Sequence, residues 1–566
     1  MAERTAVDLS ELAERYWQFL RFEFPLSAYL AGQANDDPIM FRESPEDHQR
    51  RATQADAMLA ELRLIPLENL LGQDRITHRL LKRELRDLCK TYATDSHLRP
   101  WLLPAGPEFN TIYFANTTQI QRAEEAKLYV DRLQTLPRYF TDIRACLALG
   151  DERGIRHPRT VLSAALVNLR SAASGPVEQT AWFGPFKRAI VTKDAHFMEQ
   201  QERASEIIGR EILPTLSRLA DFMEQVLMPK ARDTVACTDT PLGAAFYSHW
   251  VRHFTTSEEW SPEAIHDLGL AEVARLEHEI AEVAEEAGFK GDVAGYRRYL
   301  REEPAFVSPT ADALLERVQA LAKRIDGKIP AIIGRVPRAT YGVESIPASL
   351  AEKLPLAYAQ PSPADASGPG VFWVSGLPDR VPGYLHVSLV LHEAWPGHLM
   401  HIALMQEMST LPMFRRANFT KYSACLEGWA MYCEGLGEEL KLYVTPHDRF
   451  GRLDMEMWRA CRLVVDTGLH LKGWSRDQAI QYMVERLTLT KQAIEAEVDR
   501  YIAMPAQALG YMLGGLKFRE LRQRAQERLG PKFKLRDYHD QLMAAGAVTL
   551  PVLEQVVHDW LDQRAA

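Results

Sequence analysis

The sequence predicts a mainly α-helical, zincin-like fold with one small β-sheet directly before a metal-type helix, and a deep cleft between its helical N-terminal half and its metal-bearing half. Three observations predict this. Apolar residues recur at three-to-four spacing over most of the 566 residues. Short Pro-, Val-, Ile- and aromatic-rich runs gather in a single stretch, about 329–390. The run His392-Glu393-Ala394-Trp395-Pro396-Gly397-His398 follows at once.

The elements follow in order. Helical periodicity predicts helices over about 8–33, 45–65, 74–94, 119–150, 159–173 and 195–228. Gly106-Pro107, Gly175-Pro176 and Gly184-Pro185 punctuate them. Residues 1–235 thus read as a helical N-terminal region without a catalytic motif, and 236–566 as the catalytic region, the two able to form one continuous fold. Ser261-Pro262 places an N-cap and a first-turn Pro before a long helix to about Ala287. Two more helices are expected over 293–303 and 308–326. The strand-like runs are Pro347-Ala348-Ser349, Leu356-Ala357-Tyr358 and Gly370-Val371-Phe372-Trp373-Val374. An edge strand there would suit pairing with an extended substrate. From His386 onward the pattern is helical, broken at Pro446, at Gly473-Trp474-Ser475 and over 546–551.

Composition narrows the function classes. The chain is 46% hydrophobic and 25% charged, with a net charge of -9 and no basic block. That predicts neither nucleic acid nor membrane as a partner. Cys89, Cys146, Cys237, Cys425, Cys433 and Cys461 are scattered without a C-x-x-C pair, so reduced thiols are expected. The start MAERTAVDLSELAERYWQFL lacks the basic and apolar segments of a signal peptide, which predicts the cytoplasm.

The motif around His392 carries the chemistry. In H-E-x-x-H, two imidazoles one turn apart share a metal and the Glu acts as a base toward water. Here the second His arrives two residues late. On a straight helix the imidazoles would stand about 120° apart at roughly 100° per residue. Pro396 and Gly397, just before His398, are the residues that break and redirect a helix. Glu427, 29 residues beyond His398, opens a second helix at the spacing that supplies a third ligand. His392, His398 and Glu427 are therefore the expected ligands of one zinc ion per chain, with Glu393 as the base. His401 competes with His398 but reads better as a packing residue.

Other residues enter by position. Glu434 shares a helix face with Glu427 and suits orienting a ligand imidazole; a salt-bridged core carboxylate is its alternative. Arg462, Asp466 and His470 form a polar stripe on an apolar helix. Facing the metal, the stripe would let His470 stabilise an oxyanion, Asp466 support the ligands and Arg462 bind substrate. A structural network is the other reading. In RYIAMPAQALGYMLGGLK, Tyr501 or Tyr511 suits polarising a scissile carbonyl. Arg500, Gln507 and Lys517 suit substrate binding.

HEAWPGH, LEGWAMYCE, RLVVDTGLHLKGWS and RYIAMPAQALGYMLGGLKFRELR, in this order, resemble the bacterial family called domain of unknown function 885. LGAAFYSHWVRHFTTSEEWSPEAIHDLGLAEVARLE and the tail KLRDYHDQLMAAGAVTLPVLEQVV resemble it too. The resemblance covers about 240–566 with specific motifs. It implies likeness to helical gluzincins, the clan of oligopeptidases and thermostable carboxypeptidases, with zinc on His392, His398 and Glu427. The chain departs from the pattern at Leu399, where relatives often carry a second His, and at Ala506, where they often carry Gly.

The expected function is zinc-dependent hydrolysis of a peptide or amide bond, on a small peptide or amide substrate. A specific small non-peptide amide or ester is the first alternative, and a non-catalytic helical scaffold the second. Oligomeric state stays open, with a homodimer as one option.

Overall fold

The computed structural model describes residues 2–32, 37–192, 194–347, 351, 354–363, 368–417 and 419–565. Helix takes 71% of the chain, and the sheet has three short strands, so the mainly helical expectation holds. Residue 33 of the first helical run and residues 348–349 of the first strand-like run lie outside the described residues.

The N-terminal region is a stack of helices at Ala2–Glu23, Pro45–Leu62, Gly72–Ala93, Ala123–Leu133, Leu136–Glu152 and Arg159–Ala172, among shorter ones. Local chemistry sets their starts. Ser44 caps Pro45–Leu62 with a reciprocal bond to Asp47, and Pro45 occupies the first turn. The single helix expected over 119–150 is two helices. Pro137 has no N–H to continue a helix, and it sits in the first turn of the second.

This region is not a separate body, because one apolar core runs through it and the rest of the chain. The seam has polar stitches. Buried Glu84 accepts the hydroxyls of Tyr16 (2.8 Å) and Tyr422. Arg415 reaches Gln73 Oε1 (2.8 Å) and Thr77 Oγ1 (3.2 Å). These partners hold Arg415 and Tyr422, both before the Glu427 helix, against the N-terminal stack.

The sheet joins β1 (Tyr341–Ile346), β2 (Ala357–Gln360) and β3 (Gly370–Ser375) in the order β1-β3-β2. β1 runs parallel to β3 from Tyr341↔Gly370 to Ile346↔Ser375, and β2 runs antiparallel to β3. Gly370 lets the sheet settle beside the helix after the motif, since a Cβ there would lie 3.0 Å from Leu399 Cδ2.

Seven helices position the site: α1 (Pro262–Glu286), α2 (His386–Glu393), α3 (His398–Gln406), α4 (Ser423–Gly435), α5 (Pro446–Leu471), α6 (Lys491–Ala503) and α7 (Leu509–Leu529). Small residues allow the closest approaches. A Cβ on Gly428 of α4 would lie 2.5 Å from the Gly514 backbone of α7, and one on Gly514 would lie 2.0 Å from the Ala424 carbonyl. Gly269 of α1 likewise admits Leu463 of α5. Among the described residues no helix is long and apolar enough to cross a membrane. All six cysteines are free.

Candidate metal centre

The expected break in the motif helix is present. α2 stops at Glu393, and α3 starts at His398. The connection is held from α4, whose Trp429 Nε1 donates to the Pro396 carbonyl at 2.8 Å. Gly397 is required by space. A Cβ there would lie 1.9 Å from the His392 carbonyl and 2.4 Å from that of Leu391.

The break brings His392 and His398 to one point. Their rings lie 4.8 Å apart at 89°. Glu427 Oε2 on α4 is 3.5 Å from His392 Nε2 and 3.3 Å from His398 Nε2. One ligand atom from each residue fits within 4.8 Å of the others. Charge-assisted hydrogen bonds are shorter, about 2.7–2.9 Å. The edges of a tetrahedron around zinc, with bonds of about 2.0–2.2 Å, are about 3.3–3.5 Å. Two imidazoles and a carboxylate are also a catalytic zinc donor set that leaves one position open. The residues therefore fit zinc. Glu427 is 21% exposed and His398 12% exposed, so the group is reachable from solvent.

His392 is oriented from behind. Its Nδ1–H donates to buried Glu434 at 2.8 Å, which leaves Nε2 facing Glu427. Arg459 Nη2 donates to the same Glu434 oxygen at 3.2 Å, and Tyr443 Oη donates to the Glu434 backbone carbonyl at 2.7 Å. A Glu434→Gln change keeps an acceptor but removes the charge. Zinc affinity is expected to fall about 10–100-fold, read by competition with a chromogenic chelator; an unchanged affinity would remove Glu434 from this role.

Burial pushes the His392 imidazole down, but the surrounding Glu427, Glu434 and Glu393 carboxylates raise it to about 9. Without metal this folded value lies above the unfolded one of about 6.5. The stabilisation is therefore complete below about pH 6.5 and is lost as pH rises through about 9. A metal needs the neutral ring. Zinc binding at neutral pH is expected to release protons, with apparent affinity rising toward pH 9. Calorimetry in buffers of different ionisation enthalpy reads this, and buffer-independent heats would contradict it.

Glu393 ends α2, next to His392, and makes no side-chain hydrogen bond or ion pair among the described residues. His401 lies one turn past His398, fully buried, with its ring 6.1 Å from Trp429 and outside the ligand group.

The polar stripe on α5 has another task than expected. Arg462 Nε donates to Tyr501 Oη (3.0 Å) and Nη2 to Glu497 (3.1 Å). Asp466 accepts from Tyr247 Oη (2.7 Å) and the Ala506 N–H (2.9 Å), and burial pushes its carboxyl up to about 7. It supports no ligand imidazole. His470 Nδ1 accepts the Cys237 N–H at 3.2 Å while Nε2–H donates to the Tyr501 carbonyl at 2.9 Å. Both nitrogens are used, so His470 is not free to hold an oxyanion. The reason is distance along the helix. The ligand-orienting contact on α5 is at Arg459, and His470 lies about 16 Å further at 1.5 Å per residue. The stripe instead anchors residues 497–506, the approach to Tyr511. Within that anchor Ala506 has φ 69, the left-handed region that favours Gly.

Tyr501 is corrected too. Its hydroxyl donates to Glu497 at 2.6 Å and accepts from Arg462, so it is committed away from the metal. Lys517 pairs with Glu520 (2.9 Å) and Glu554 (3.6 Å), a tie to the C-terminal helix and not a substrate contact. Arg500 donates to Glu497 and Gln507. Tyr511 lies within the field of Glu427. Burial raises its phenol first, and the Glu427 charge raises it further. The Arg462 guanidinium stacks on its ring at 4.4 Å. The reading of the sequence missed Trp429, Arg459 and Glu497. Only the polar character of Arg459 within an apolar helix face was available to flag it.

A cavity does lie between the N-terminal and C-terminal regions, but its walls contain none of the ligand residues. It lies between the two halves, where the sequence places a cleft, but apart from the motif helix.

The family model for "Bacterial protein of unknown function (DUF885)" matches residues 25–557. No curated protein matches significantly. Among solved structures, a candidate lipoprotein from Colwellia psychrerythraea is 28% identical, with a TM-score of 0.92 over 99% of this chain and 100% of that one. A candidate lipoprotein of unknown function from Shewanella oneidensis is 15% identical, with a TM-score of 0.75 over 97% and 99%, a likeness of fold alone.

Proposed function

The chain belongs to the bacterial protein family of unknown function DUF885, and from that premise and the geometry of its buried His–Glu group we propose that it is a zinc-dependent hydrolase of a peptide or amide bond. One observation carries the reading: three ligand atoms of His392, His398 and Glu427 converge beside a Glu393 that makes no side-chain hydrogen bond or ion pair among the described residues. In a structural network every carboxylate would be tied down. The pair of imidazoles flanking a helix break, with the Glu on the next helix, is a gluzincin-like arrangement. The lipoprotein descriptions of the two solved relatives set a lipid-anchored location beside the cytoplasmic one expected from the sequence.

Zinc, when bound, supplies Lewis acidity and lowers the pKa of water toward about 7. The chain supplies the rest. Glu393 takes the proton of the attacking water and hands it to the leaving amine. Tyr511, whose raised phenol stays protonated at neutral pH, donates to the oxygen that gains charge. Arg462 holds the Tyr511 ring by stacking. The Arg500–Gln507 pair, anchored by Glu497, borders Tyr511 and is placed to meet a polar group of the substrate.

Elemental analysis of the purified chain after zinc reconstitution tests the premise. About one zinc per chain is expected from a single three-residue donor set. A chain without stoichiometric transition metal would sink the reading.

A further inference from the structure

The cavity between the two regions has walls of two kinds. Trp101, Val161 and Phe246 are apolar, Arg99, Arg156 and Arg232 are cationic, and no carboxylate lines it. Arg99 and Arg232 are the unusual members. Arg99 is 9% exposed. Its Nη1 donates to the carbonyls of Thr94 (3.0 Å) and Asp95 (3.1 Å), and its Nη2 to Thr240 Oγ1 (3.3 Å) and the Pro241 carbonyl. Its Nε is buried with no partner. Arg232 donates to the carbonyls of Arg156 (2.9 Å), Thr234 (2.6 Å) and Val235 (3.4 Å). Arg156, by contrast, has Asp151.

Carbonyls satisfy donors but do not neutralise charge. Among the described residues neither Arg99 nor Arg232 forms an ion pair. Asp95 is taken by Arg153 at 2.7 Å, and Asp239 is exposed. Burial holds both guanidiniums below their usual range, and Arg232 depresses Arg99 further. The Cys237 thiol between them is pushed far up by burial, so it stays neutral and is no counter-charge. His157 reports the same positive field: burial, then Arg232 and Arg99, hold its ring down to about 4. A buried cation beside a half-buried one, without a counter-ion, is costly, and an anion entering the cavity relieves that cost. The apolar walls add a preference for an anion with a hydrophobic body.

We propose that this cavity is a second ligand site, which binds a small organic carboxylate with its oxyanion beside the Arg99 and Arg232 guanidiniums and its apolar body against Trp101, Val161 and Phe246. The site shares no residue with the metal group, so it stands or falls apart from the hydrolase reading.

Butyrate, butyramide and inorganic phosphate, titrated separately into the full chain with tryptophan fluorescence and calorimetry as readouts, test it. Butyrate should saturate the site in the millimolar range or tighter, and perturb Trp101 emission. Butyramide, the same size without the charge, should bind at least about tenfold more weakly, as should phosphate, which lacks the apolar body. Arg232→Met keeps the stem, removes the charge and should weaken butyrate by about tenfold or more. Val161→Phe fills the cavity, leaves both arginines in place and should abolish binding, so the test survives a poorly folding Arg232 variant. The proposal is overturned if folded wild-type chain shows no saturable butyrate binding, or if butyramide or phosphate binds as tightly. Butyrate binding unchanged by Val161→Phe would overturn it as well.

Discussion

Replacing Glu393 by Gln is expected to leave one zinc per chain and to lower turnover by about 10²–10⁴-fold. The amide is nearly the same size and sits outside the ligand group of His392, His398 and Glu427. It cannot take a proton from water, nor return one to a leaving amine. Glu393 has no hydrogen-bond partner to lose among the described residues, so the change carries little structural cost. The comparison needs zinc content and initial rates on the same preparation. A loss of only a few-fold would assign the base to another group. Loss of zinc with the activity would make Glu393 a structural residue.

The second large effect is expected from Gly397→Ala. The new Cβ would fall 1.9 Å from the His392 carbonyl and 2.4 Å from that of Leu391, and both are backbone atoms that cannot swing aside. The chain must give between Glu393 and His398. That connection is fixed by the Trp429 bond to Pro396, so the displacement passes to His398. Zinc affinity should fall by about 100-fold, the upper end for disturbed ligand orientation, and activity should fall with it. Circular dichroism should show the helical fold retained, since α2 and α3 end and begin outside the break. Full zinc occupancy and normal turnover in this variant would mean that the break is not what aims His398.

The sequence was most legible where geometry left no choice. Two imidazoles six residues apart cannot share an ion on a straight helix, and Pro396-Gly397 announced the detour that α2 and α3 display. Glu427 and Glu434 lie on one face of α4, and the structure puts the first beside both His rings and the second behind His392. The stripe of Arg462, Asp466 and His470 was legible as a shared face but not as a destination. Helical phase tells which residues face the same way; it does not tell how far along the axis the site lies. At 1.5 Å per residue Asp466 and His470 run past the His–Glu group and meet the backbone of Ala506 and Tyr501, while Arg462 turns to the Glu497 and Tyr501 side chains. Glu497, which gathers Arg462, Arg500 and Tyr501, had no local signal because its partners come from another helix and from its own next turn. Lys517 looked like part of a motif but answers Glu554, 37 residues on, a pairing that only tertiary packing reveals.

Release of amine from a library of dipeptides and acyl-amides, measured for zinc-loaded protein, for the same protein stripped by a chelator and for the stripped protein given zinc again, tests the central claim most directly. The geometry of His392, His398, Glu427 and Glu393 predicts turnover of at least one amide that disappears on stripping and returns with zinc. Fully zinc-loaded protein that cleaves nothing in the library, or cleavage indifferent to the metal, would contradict it.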